Sequence, residues 1–209
     1  MKLLIFGSTG GTGRELVKQA LEQGHSVTAY ARNPAKIEDI KHSSLQVVRG
    51  DVLDPAGVEG AVAGQDAVLS TIGAGAGRTT LREEGTRNIV AAMEKAGVQR
   101  LVCQSSLGIG DSRANLSIFT KYIVVSVFLR HAFADHEGQE AVVKQSSLAW
   151  TIVRPPHLTN GPRTGAYRHG FSPTDTLIKG KISRADVADF MLKQLTDDTY
   201  LRQTPGVSY

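Results

Sequence analysis

The sequence has little cysteine, few aromatics and no long apolar run, and each shortage closes a class of function. One cysteine, Cys103, in 209 residues cannot form an internal disulfide or build a metal site alone. Its neighbours Leu101 and Val102 mark it as a packing residue in a buried strand. Aromatics are 6% and the basic residues are scattered, so a net charge of +4 makes no basic face interleaved with stacking rings. No nucleic-acid partner is expected. The longest nearly unbroken apolar stretch, Tyr122 to Leu129, is far too short to span a bilayer. No signal-like leader precedes the first strand-like run, Lys2 to Phe6. These readings predict a cytoplasmic protein with no membrane partner. No spacing of histidines and acids suggests a metal. With 41% apolar and 21% charged residues, the chain suits one domain with a full core, 1–209.

What is present is alternation of strands and helices. Strand-like runs lie at Leu3–Phe6, Ser26–Ala31, Leu45–Val48, Ala67–Thr71, Arg100–Gln104 and Ala149–Val153. Helical segments fall between them: about Thr12 to Gln23, a short one opened by Asn33-Pro34, Pro55 to Val62, Leu81 to Ala96, and Leu116 to Lys144 with an interruption near Arg130 to Asp135. Gly24 and Gly97 stop two of the helices. Pro155-Pro156 ends the sixth strand, and a loop-rich stretch leads to a last helix at Ser183, where Ser183-Arg184-Ala185-Asp186 has capping-box spacing. Strands joined by such crossovers pair in parallel. The predicted fold is α/β, a Rossmann-type doubly wound parallel sheet, with residues 155–209 a small C-terminal extension on the substrate side.

The first strand runs into Gly7-Ser8-Thr9-Gly10-Gly11-Thr12-Gly13 and then a helix. Gly7 permits the turn, Gly10 lets backbone approach a diphosphate, and Gly13 allows close packing. The helix start offers free N–H groups to phosphate, and Thr9 and Thr12 add hydroxyls. An enzyme that takes NAD places an acid at the end of the second strand, about 20 residues after the glycines. Here that strand ends Tyr30-Ala31-Arg32. Arg32 has the planar fork suited to a 2′-phosphate, Lys36 adds a second charge, and Arg14 lies nearby, so the expected cofactor is NADPH. At the next strand ends, Asp51 is either an acceptor for the adenine amino group or a turn residue. Val52 flanks the ring, while Ile72 and Gly73 let backbone pass close. Gly73, Gly75 and Gly77 make a glycine-rich loop.

Six segments together resemble the biliverdin-IXβ reductase and NADPH flavin reductase group of atypical short-chain dehydrogenases, which has NmrA-like relatives. They are Gly7 to Gly13, Gly50 to Leu53, Ala63 to Val68, Asn88 to Met93, Pro155-Pro156-His157 and Thr164-Gly165-Ala166-Tyr167. The resemblance implies hydride transfer from NADPH to flavins and linear tetrapyrroles. It implies a monomer, with Ser106 and His157 as active-site residues and Pro155 and Pro156 lining the cofactor. The small planar substrate would be FMN, FAD, riboflavin or biliverdin. Where this group carries aromatics after the serine, the chain has Leu107-Gly108-Ile109-Gly110. None of the five tyrosines starts a Tyr-x-x-x-Lys pair, the usual proton donor of short-chain dehydrogenases. Flavins and bilins take their proton readily from solvent, so positioning carries the rate. The same absence fits an NmrA-like NADP(H)-binding regulator without turnover. Asp135-His136 and Gln139-Glu140 lie on a helix, with His136 and Glu140 at i, i+4, and read as a surface or interhelical ion pair.

Overall fold

The computed structural model describes residues 1–74, 79–115, 130–171, 175 and 178–209. Six strands form one parallel sheet: β1 (Lys2–Phe6), β2 (Ser26–Ala31), β3 (Leu45–Arg49), β4 (Ala67–Ser70), β5 (Arg100–Gln104) and β6 (Ala149–Val153). Their order is β3-β2-β1-β4-β5-β6, so the winding reverses between β1 and β4. Among the described residues five α-helices cover the faces: α1 (Gly11–Glu22), α2 (Pro55–Val62), α3 (Leu81–Ala96), α4 (Arg130–Gln145) and α5 (Arg184–Lys193). The fold is the Rossmann-type α/β arrangement read from the sequence.

Alternation along β1 sends Leu3 and Ile5 to one face and Leu4 and Phe6 to the other. The first face meets Leu16, Val17 and Ala20 of α1 and Val187, Phe190 and Met191 of α5. The second meets Val58 and Val62 of α2, Ile89 and Met93 of α3 and Val143 of α4. Strands buried on both faces read as continuous apolar runs, and these do. Cys103 is fully buried, and burial pushes its thiol up to about 12, which makes it inert.

Local chemistry explains most helix ends. Asn33 accepts from the Ala35 N–H at 3.2 Å to start a short 3₁₀ helix, Pro34–Ile37. Asp54 and Ser183 cap α2 and α5 in the same way, the latter at 3.0 Å from the Asp186 N–H. Gly97 closes α3 in the left-handed conformation.

Two expectations change. The interruption near Arg130 to Asp135 is not there: α4 runs unbroken from Arg130, and Leu116–Leu129 lie outside the described residues. The loop-rich stretch after Pro156 holds short strands: β7 (His157–Thr159), β8 (Arg168–His169) and β9 (Lys181–Ser183), with β10 (Val207–Ser208) at the end of the chain. β7 pairs in parallel with β9, and β8 antiparallel with β10. These strands are two or three residues long, too short for a periodic signal. Among the described residues no helix is long and apolar enough to cross a membrane.

Candidate functional site

At the reversal point the carboxyl ends of β1, β2 and β4 open a cleft of about 390 Å³. Its floor is the glycine turn. Gly7 has φ of +74°, and a β-carbon there would press on the Thr71 carbonyl after β4. A β-carbon on Gly13 would run into the Gly7 carbonyl. Both positions exclude side chains, as the sequence pattern predicts. The turn is held by Gly10 N–H to Gly7 O at 2.9 Å and by the buried Ser8 hydroxyl, which donates to Tyr30 O at 3.0 Å. No side chain caps α1 and no acid stands in its first turn, so its N–H groups and dipole face the cleft uncompensated.

Of the expected site residues, Gly7, Thr9, Gly10, Thr12, Arg32, Lys36, Val52, Ile72 and Gly73 line this cleft. Arg32 and Lys36 are exposed, and neither has a carboxylate partner among the described residues. Arg14 is spent elsewhere: it pairs with Asp39 and donates to Lys36 O at 2.5 Å, which fixes the 3₁₀ helix that carries Lys36. The Asp39 hydrogen bond raises the Arg14 pKa, and the same contact lowers that of Asp39. Val52 and Ile72, each 8% exposed, give apolar walls. Asp51 does not line the cleft. Its Oδ1 accepts from the Leu53 N–H at 3.0 Å, the turn arrangement.

Ser106, Pro155, Pro156 and His157 lie beyond this cleft, on the extension of β5 and β6. Ser106 is half-buried and its hydroxyl donates to Leu107 O at 3.2 Å, while the Leu107 N–H donates to Pro155 O at 2.8 Å. The serine and proline segments are thus tied together at the same edge of the sheet. His157 is exposed on β7. Gly75 and Gly77 lie outside the described residues.

Among the cleft residues that sequence reasoning missed are Gln104 and Arg184. Gln104 ends β5, and its Oε1 is buried with no hydrogen-bond partner among the described residues. The signal was a polar residue closing the apolar run Leu101-Val102-Cys103. Arg184, the first residue of α5, reaches the cleft from the far end of the chain, and nothing local foretells it.

A buried polar network fixes the β5–β6 side. Arg154, 1% exposed, donates to Glu140 from Nε at 2.8 Å and Nη2 at 2.6 Å, and to Asp111 from Nη1 at 2.5 Å. Burial opposes charge on Glu140, but the Arg154 and Lys144 contacts outweigh it and lower the carboxyl pKa. The ion pairing expected of this helix is made by Asp135 and Glu140 with arginines of other elements, Arg82 and Arg154, while His136 Nδ1 meets Gln139 Oε1 at 3.2 Å. Burial, then Arg82, pushes His136 down to about 4. Asp135 on α4 accepts from the backbone N–H groups of Arg82 and Glu83 at 3.0 Å each and pairs with the Arg82 guanidinium, also at 3.0 Å, so α4 caps α3.

The chain is similar to known proteins in sequence and in fold. A chloroplastic protein of Arabidopsis thaliana is 32% identical over 206 residues, covering 94% of this chain and 72% of its own length. A short-chain dehydrogenase/reductase of Veillonella parvula, solved in complex with NADP, superposes with a TM-score of 0.84 at 20% identity, over 100% of this chain and 94% of that one. ChuY, an anaerobillin reductase of Escherichia coli O157:H7, superposes with a TM-score of 0.82 at 25% identity, over 100% and 97%. Residues 7–198 match the family described as NAD(P)H-binding, from the turn's first glycine to beyond α5, and the chain belongs to that family.

Proposed function

We propose that the protein is an NADPH-dependent reductase that passes hydride to flat conjugated acceptors, flavins or linear tetrapyrroles such as biliverdin, as a cytoplasmic monomer. The observation that carries this reading is the pairing of a cleft bearing unpaired Arg32 and Lys36 with the lack of any Tyr-x-x-x-Lys pair. The two cations suit a 2′-phosphate, and no acid stands at the end of β2 to take a 2′-hydroxyl. The N-terminus of α1, with Thr9 and Thr12, holds the diphosphate. Val52 and Ile72 flank the adenine. The carboxamide N–H of the nicotinamide would supply the donor that the buried Gln104 Oε1 lacks. When bound, the cofactor supplies the hydride.

The chain's own residues then position an acceptor. Ser106 and the Pro155-Pro156 segment form the substrate side, with His157 at its rim as a donor to the acceptor. Without a tyrosine held by lysine the site is poorly equipped to protonate an alkoxide, whereas reduced flavins and bilins take their proton from water. The likeness to an anaerobillin reductase supports a tetrapyrrole among the acceptors.

The test is loss of NADPH absorbance with purified protein and FMN, then biliverdin. Turnover of either is expected. Tight NADPH binding without turnover of either acceptor would overturn the reductase. It would favour a redox-sensing regulator, a reading that the position of Ser106 and His157 outside the cleft keeps in play.

A further inference from the structure

Gly11 has no duty in the G-x-x-G-x-x-G pattern, whose glycines are Gly7, Gly10 and Gly13. It is the first residue of α1, a position open to any side chain on backbone grounds. What crowds the position is a neighbouring side chain. A β-carbon at position 11 would collide with Cδ of Arg184 and lie 2.7 Å from its Nε. Arg184 opens α5, and its side chain crosses from the C-terminal extension onto the phosphate turn, where it forms part of the cleft wall. Its Nη1 donates to Asn160 Oδ1 at 2.6 Å and to Leu158 O at 3.4 Å. Both acceptors are neutral, and among the described residues no carboxylate pairs with this guanidinium. Its Nε and Nη2 have no acceptor there either. The guanidinium is therefore oriented by one edge while its charge stays uncompensated.

We propose that Arg184 is the counter-charge for the dinucleotide's diphosphate, seated over Gly11 opposite the start of α1. The cleft then sorts its anions: Arg32 and Lys36 take the 2′-phosphate, and Arg184 with the α1 N–H groups takes the diphosphate. Both cofactor forms carry the diphosphate, so Arg184 supplies affinity without choosing between them. The inference rests on NAD(P)H binding alone and stands whether or not flavins or bilins are reduced.

Arg184→Met keeps an apolar stem over Gly11 and removes the charge. Calorimetry would compare NADPH, NADH, ADP and adenosine 2′-monophosphate. The first three share the diphosphate and should weaken together, roughly 10–100-fold for the loss of a charged hydrogen-bonding group. Adenosine 2′-monophosphate lacks it and should bind as before. Unchanged ADP and NADPH affinity, or an equal loss for adenosine 2′-monophosphate, overturns the assignment. Gly11→Ala, which pushes the guanidinium from its seat, tests the same claim without touching Arg184. It should weaken NADPH in the native background and add nothing in Arg184→Met, whereas simple additivity overturns the seating.

Discussion

Cations around the glycine turn and cations on the β5–β6 side of the same sheet meet different fates. Arg32, Lys36 and Arg184 stand in the cleft without a carboxylate partner among the described residues. Arg82 and Arg154, both buried, are bound by Asp135 and by Glu140 with Asp111. A buried charge must be paired, because desolvating it alone costs more than a domain can spare. A charge at the mouth of a cleft keeps its water and can stay open for an anion. The first group thus makes a binding site, and the second makes a frame that holds α3, α4 and the Leu107–Asp111 segment against β6.

The largest effect should come from breaking the frame. Glu140→Ala leaves the Arg154 guanidinium buried beside only the exposed Asp111, and should cost about 3–5 kcal/mol of stability. Urea unfolding measures it. Replacing Arg154 by Met in the same chain should recover part of the loss. A cost near zero for Glu140→Ala would mean that the network is solvated, and the contrast between the two sides would collapse.

On the open side the expected effect is on binding. Arg32→Glu should lower NADPH affinity by about 1.5–3 kcal/mol and NADH affinity much less, since only NADPH carries the 2′-phosphate. Fluorescence titration with both cofactors checks it. Equal losses would show that Arg32 serves the fold or the shared diphosphate.

His136 gives the frame a pH signature. Burial and Arg82 depress its pKa to about 4 from 6.5, with the Asp135 and Glu140 charges acting the other way. A depressed folded value means that protonation favours the unfolded chain. Its contribution is complete above pH 6.5 and is lost as pH falls toward about 4. Across that window the urea midpoint should fall more steeply for the native chain than for His136→Gln. Parallel curves would place the histidine in water.

The sequence revealed what is mechanical and local. Glycine spacing and capping residues each act within a few neighbours, so the sheet and the turn could be read directly. Contacts between distant segments could not. Glu140 was legible as an ion-pairing residue of a helix, but not that β6 brings it Arg154. Thr164-Gly165-Ala166-Tyr167, conspicuous as a motif, proves to be a fastener on α5. Asp186 accepts from the Thr164 N–H at 2.7 Å, its hydroxyl at 2.8 Å, the Gly165 N–H at 2.9 Å and the Tyr209 hydroxyl at 2.6 Å. Arg184 was visible only as one letter inside a capping sequence.

That capping sequence supplies the smallest effect. Ser183 is fully buried, its Oγ accepts from the Asp186 N–H at 3.0 Å, and its hydroxyl donates to Pro162 O, also at 3.0 Å. Ser183→Ala removes both contacts but leaves the Asp186 carboxylate all four of its donors, so α5 should stay docked. The expected cost is about 1 kcal/mol, a fall of roughly 2–4 °C in Tm for a chain of this size. A thermal scan decides it. A loss as large as that of Glu140→Ala would mean that the start of α5 belongs to the rigid frame, and the side chain of Arg184 would then be held by the frame as firmly as by its seat on Gly11.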